Sequence, residues 1–147
     1  MTMNMAGATP LDCLSKLDSS ALGNQTLFTF TGDINFIIWG VVTSDIQNQA
    51  TTCKLSVVSD SLTAYDICAN LNIQAFVAGS LLSITGTAAN AMVGTTGVGA
   101  IAPGQASFVH ATCITSGTIT VTYGAASTGA ILWKIKWVPL TGSPTVS

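Results

Sequence analysis

His110 is the single histidine of the chain, so any acid–base or charge-relay chemistry using an imidazole has to run through that position. It stands between Phe108 and Thr112 in an alternating run, the pattern of a half-buried strand. No G-x-S-x-G elbow supplies a serine nucleophile, and most serines fall in turn-like stretches. His110 therefore reads as a hydrogen-bonded strand histidine. Gly97, Gly99 and Ala102 spell G-x-G-x-x-A. A dinucleotide site needs that pattern to follow a strand, open a helix and precede an acidic residue about 20 positions on. Pro103 and Gly104 interrupt any such helix, and no acidic residue follows them.

The remaining reactive side chains are as poorly placed for chemistry. The carboxylates are Asp12, Asp18, Asp33, Asp45, Asp60 and Asp66, with no Glu, and none forms the D-x-D-x-D-G loop of a calcium site. Asp33 follows Gly32 and Asp60 precedes Ser61, which marks both as turn formers. Cys13, Cys53, Cys68 and Cys113 lack the close-spaced ligand pairs of a zinc site. They read as small buried hydrophobes, with one disulfide formed after release from a cell as the alternative. Asn24-Gln25-Thr26 matches the glycosylation pattern, but no secretory signal gives it meaning. No catalytic, cofactor-binding or metal residue emerges, and no enzyme is expected.

The elements that carry these residues are strands. From Leu27 onward Val, Ile, Thr and aromatics dominate, with Gly, Asn, Asp and Ser between the runs. Ile119, Val121 and Tyr123 alternate with Thr118, Thr120 and Thr122. Ile131, Trp133, Ile135 and Trp137 share one face of the last strand, and Leu132, Lys134, Lys136 and Val138 share the other. Pro139, which has no N–H to donate, ends it. The segment from Ile34 to Val42 is apolar on both faces, with Ile34, Phe36, Ile38 and Val42 on one and Ile37, Trp39 and Val41 on the other. Such a strand lies centrally in a sandwich or at a subunit interface. Further strands are expected at Lys54 to Val58, Leu81 to Thr85 and Ser107 to Thr115, and a short helix within Thr63 to Leu71. Thr85 to Pro103, mostly Gly, Ala and Thr, reads as a long loop.

The fold class expected is all-β, a single jelly-roll-like sandwich or barrel with an extended N-terminal arm. Residues 1–24 form the arm, 25–140 the β domain and 141–147 a C-terminal tail. Within the arm, Pro10 to Leu17 has Thr9 as a cap and Leu11, Leu14 and Leu17 at helical spacing, enough for a helical turn or two. That segment is too short to stand alone and needs a neighbour to order it.

Composition narrows the partners. Charged residues are 7% of the 147, against about 25% in an average domain. Four Lys and no Arg at a net charge of −2 cannot build a phosphate-neutralising surface, so nucleic acid is excluded as a partner. No apolar run reaches the length of about 20 residues that spans a bilayer. Met1 to Pro10 has neither the basic region nor the apolar run of a Sec signal, so the chain is expected to be made, and to stay, in the cytoplasm of the producing cell. A hydrophobic fraction of 48% with so few charges offers little repulsion against association. A homo-oligomer is expected, with a monomer wrapped in uncharged polar side chains as the alternative.

Gly129 to Leu140 (GAILWKIKWVPL) resembles the final strand of small tailed-bacteriophage virion proteins, in which a Gly-Ile-Trp-like strand runs into an aromatic, an aliphatic and Pro-Leu. Other pieces match in order: Ile38 to Gln47, Ile67 to Ile73, Ser83 to Thr87, and Gly117-Thr118-Ile119. The resemblance spans roughly residues 34–140, without the arm. It implies a structural virion component, a capsid cement (decoration) protein that trimerises on the outer shell and contacts the major capsid protein. The residues expected at such interfaces are Leu11, Leu14 and Leu17 of the arm, Ile37, Trp39 and Val41, and Trp133 and Trp137. A receptor- or glycan-binding module of a tail or fibre, and a tail-tube or connector subunit, remain as alternatives.

Overall fold

The computed structural model describes residues 13–18, 24–60, 63–95, 111–113, 115–125 and 127–147. Every regular element among them is a β-strand: β1 (Cys13–Asp18), β2 (Asn24–Thr31), β3 (Ile34–Ser44), β4 (Thr52–Ser59), β5 (Tyr65–Asp66), β6 (Leu71–Asn72), β7 (Leu81–Ser83), β8 (Val93–Thr95), β9 (Ala111–Cys113), β10 (Gly117–Tyr123), β11 (Ala130–Pro139) and β12 (Thr145–Val146). They make two six-stranded sheets with antiparallel pairing throughout. The first runs β1-β11-β3-β7-β8, with β9 also on β3. The second runs β12-β2-β10-β4-β5, with β6 also on β4. One apolar cluster drawn from both sheets fills the space between them, so the fold is a β-sandwich.

The faces follow the period-2 rule. In β3, Ile34, Phe36, Ile38 and Val42 are buried, while Ile37, Trp39 and Val41 lie half-buried on the outside. In β11, Ile131, Trp133, Ile135 and Trp137 point inward and Leu132, Lys134 and Lys136 outward. One local exception has a local cause. Leu27 and Phe28 are consecutive and both buried because the register of β2 on β10 slips between Ile119 and Thr120, leaving Leu27 as an extra residue.

The centre of the core is a close fit between neighbouring strands. Trp133 is wholly buried and lies directly opposite Gly40 in the β11–β3 register. A Cβ placed on Gly40 would come within 3.0 Å of both Trp133 Cζ3 and Ile131 Cγ2, so the missing side chain is the space that the indole occupies. The corner that carries the chain from the second sheet to the first is equally constrained. Gly32 adopts φ +77°, a conformation L-residues avoid. Asp33 Oδ1 accepts from Thr115 N at 2.8 Å, and its Oδ2 accepts from Thr141 Oγ1 at 2.9 Å. These bonds hold the Asp33 carboxyl below its ordinary pKa, the Thr115 amide contributing most. The turn former read from the sequence thus ties the β2–β3 corner to the start of β10 and to the chain after β11.

Three local expectations are corrected. The helical turn expected within Pro10 to Leu17 is a strand over its described part. Residues 13–18 pair with Lys136 to Ile131 of β11, because the free edge of β11 offers backbone partners that a single helical turn lacks. The described part of the expected arm is therefore an edge strand of the first sheet. The short helix expected within Thr63 to Leu71 is replaced by β5 and β6, which pair with successive halves of β4. The edge of β4 decides this, through Ile67 N donating to Leu55 O at 3.0 Å and Ser56 Oγ donating to Asp66 Oδ1 at 2.6 Å. The long loop expected from Thr85 to Pro103 contains β8, which pairs with β7, and the buried Met92. Residues 96–103 lie outside the described residues.

Gly40→Ala is expected to lower stability by about 1–3 kcal/mol through overpacking against the indole. Trp133→Ala should lower it by about 3–5 kcal/mol. Urea unfolding followed by circular dichroism measures both. A neutral Gly40→Ala would mean that Trp133 does not depend on that space.

Candidate interaction surface

The two outer faces of the sandwich differ in chemistry. On the second sheet, the registers align Thr29 with Thr118 and Val58, and Thr26 with Thr120, Ser56 and Asp66. Hydroxyls dominate this face. Its charged pair, Lys54 and Asp66, is joined at 2.7 Å, and the Lys54 and Ser56 hydrogen bonds hold the Asp66 carboxyl below its usual pKa.

On the first sheet, the registers align Leu17 of β1, Leu132 of β11, Val41 of β3 and Leu81 of β7 as direct neighbours. Four strands about 4.8 Å apart give this row a length of roughly 14 Å. The next row places Ser15, Lys134, Trp39 and Ser83 side by side, and the one beyond sets Lys136 against Ile37. Leu132, Val41, Leu81, Trp39 and Ile37 are half-buried, and Leu17 at the sheet edge is 58% exposed. Val138 near the end of β11 and Leu140 just after it are also exposed, at 43% and 46%. The described strand positions on this face carry two lysines and no carboxylate.

The residues expected at an interface divide accordingly. Ile37, Trp39 and Val41 share this outer face with Leu17. Leu14, paired with the inward Ile135, packs against the core from the sheet edge. Leu11 and His110 lie outside the described residues, as does the glycine pattern from Gly97 to Ala102. Trp133 and Trp137 are 0% and 8% exposed and belong to the core, a correction with a simple cause. They stand on the face of β11 that meets the second sheet, and the lysines of the same strand stand on the other. Leu132, Lys134 and Leu81 were not expected at an interface. The alternation of β11 had set the first two apart from the tryptophans, but no pattern in the sequence shows that Leu81 neighbours Val41.

Among the described residues the buried carboxylate is Asp18, at the end of β1, and its Oδ2 accepts a hydrogen bond from Tyr123 Oη at 2.5 Å. Burial raises the Asp18 pKa, opposed by the Tyr123 hydrogen bond and by Lys16, and burial also drives the Tyr123 phenol far up. The buried Trp133 indole N–H has no hydrogen-bond partner among the described residues. The adjoining space beside Ile46, Ile73 and Ile131 is about 10 Å³, the size of one water, so no substrate fits there. Cys53 and Cys68 are buried free thiols whose pKa values burial raises, which keeps them protonated and unreactive. Among the described residues no three His, Cys, Asp or Glu side chains gather as metal ligands. A shallow groove of about 350 Å³ lies between β1 and β2, crossed by Lys16 Nζ donating to Thr26 O at 2.6 Å.

Comparison with known protein families, curated proteins and solved structures finds no match.

Because the folded-state pKa of Asp18 lies above its unfolded value, ionised Asp18 disfavours the fold, and protonation removes that cost. The contribution is fully present below the unfolded pKa, near 3.9, and is lost as pH rises through the folded one. Relative to Asp18→Asn, the wild type should therefore gain stability as pH falls from about 7 toward 4. Cys53 and Tyr123, the titratable neighbours, have pKa values pushed upward and stay protonated in that window. Urea unfolding of both proteins across the range measures the difference, which cancels the opposite contributions of Asp33 and Asp66. A difference that is constant with pH would sink this account.

Proposed function

We propose that this chain is a structural virion protein, a capsid cement (decoration) protein that oligomerises on a phage head and stabilises the shell. The observation that carries the reading is the outer face of the first sheet, where an apolar row crosses four neighbouring strands. Isolated exposed apolar residues are ordinary, but a contiguous, register-aligned set marks a surface made to be covered. Two further points support a binding role over a chemical one. Among the described residues the best candidate for acid–base work, the Asp18–Tyr123 pair, has room beside it for about one water. The low charge and the ordered resemblance of residues 34–140 to tailed-phage virion proteins point the same way.

The alternative of a receptor- or glycan-binding module of a tail draws on the other sheet. Its outer face is rich in threonine hydroxyls, and Tyr65, 65% exposed, lies on the edge strand of that sheet across from the inward Val57. Aromatic surfaces beside hydrogen-bonding groups suit sugar recognition.

The deciding experiment mixes purified protein with mature phage shells emptied of it and counts bound copies per particle by quantitative mass spectrometry. Saturation at a symmetry-related number of sites is expected, together with a raised shell disruption temperature. A trimer is expected by analytical ultracentrifugation. A folded sample that leaves the shells bare overturns the cement reading, and saturable binding on a glycan array would then favour the tail module.

A further inference from the structure

Resting on the reading of the chain as a shell-binding protein, we infer that the outer face of the first sheet docks onto an acidic patch of the shell protein, with carboxylates meeting Lys134 and Lys136. The argument begins with the distribution of charge. Of the four lysines, Lys54 is bonded to Asp66 and Lys16 donates to the Thr26 carbonyl. Lys134 and Lys136 have no anionic partner among the described residues, and both lie on the face that carries the apolar row. Lys134 sits directly across from Trp39, and Lys136 across from Ile37.

That placement constrains the occupant. A partner that covers Leu132 and Val41 also covers the adjacent row and removes water from Lys134. A cation desolvated without a counter-charge costs far more than the neighbouring apolar contacts return. The partner therefore has to supply anions where the lysines lie. Two residues apart on one strand, they stand about 7 Å from each other. Carboxylates at alternate positions of a strand, or one turn apart on a helix, match that spacing. A second copy of this chain in a face-to-face two-fold pair would bring the same lysines together instead, which is repulsive. The hydroxyl face of the other sheet has its charges already paired and makes no comparable demand.

Lys134→Glu/Lys136→Glu tests this against Lys54→Glu on the opposite face, with binding to the emptied shells measured by co-sedimentation at about 0.05 and 0.5 M salt. The doubly reversed protein is expected to bind roughly thirtyfold or more weakly, while Lys54→Glu binds like wild type. Wild-type affinity should fall with salt. Lys134→Gln/Lys136→Gln, which keeps side-chain bulk, should fall between, and the fluorescence of the core tryptophans checks that each variant is folded. Unchanged binding by the double charge reversal overturns the inference and leaves the cement reading standing. Absence of wild-type binding overturns that reading and the inference with it. A change of oligomeric state in the doubly reversed protein without shells would make a second copy the occupant and overturn the acidic patch.

Discussion

Trp133 fills the middle of the space between the sheets because the residue opposite it, Gly40, has no side chain to contest that volume. The rest of the molecule depends on this fit. With the indole fixed inward, every second residue of β11 is committed to the core and the intervening ones to the outside. The pairing of β11 with β3 carries that parity onto Ile37, Trp39 and Val41, and the pairings with β1 and β7 carry it to Leu17 and Leu81. A slip of one residue would bury the lysines and expose the tryptophans. The outer apolar row is thus a consequence of how the inside is packed.

Charge is so sparse that individual carboxylates can be followed to their tasks. Asp33 ties a sheet-to-sheet corner to two distant segments, Asp66 binds a minor strand to β4 through Lys54 and Ser56, and Asp18 anchors the edge strand β1 to Tyr123 in the second sheet. Asp45 accepts from the Ala78 amide at 2.7 Å. Hydroxyls and amides do the rest, as where Thr31 and Thr145 meet at 2.8 Å and β12 lies along β2. With the described carboxylates placed elsewhere, the described strand positions on the outer face of the first sheet carry two lysines and no carboxylate. Its apolar residues and its charges then ask for the same kind of partner.

This arrangement suits the proposed role in assembly. A sandwich presents two broad, rigid faces, and here one is hydrated by hydroxyls while the other is apolar with a fixed pair of cations. A subunit that must adhere on one side and stay soluble on the other needs that division. The thiols fit it too, since Cys53 and Cys68 are deep in the core and behave as apolar filling.

Alternation along the chain was enough to assign the all-β class, the long strands β3, β10 and β11, and the grouping of residues onto faces, because a strand's side-chain period is a local property of its backbone. It also identified Ile37, Trp39 and Val41 as a set distinct from the core set of the same strand. Period alone could not say which face of β11 is inside, so Trp133 and Trp137 were expected at an interface. Only the opposition of Trp133 to Gly40, residues 93 positions apart in sequence, decides it. The short elements were illegible for a related reason. Two or three residues cannot show a period, and β5, β6 and β8 exist because β4 and β7 have edges whose N–H and C=O groups need partners. Likewise, no local pattern makes Leu17, Leu132, Val41 and Leu81 neighbours. The chain by itself determined what each strand would show on its two sides, and tertiary pairing decided which side faces water and which residues stand next to one another there.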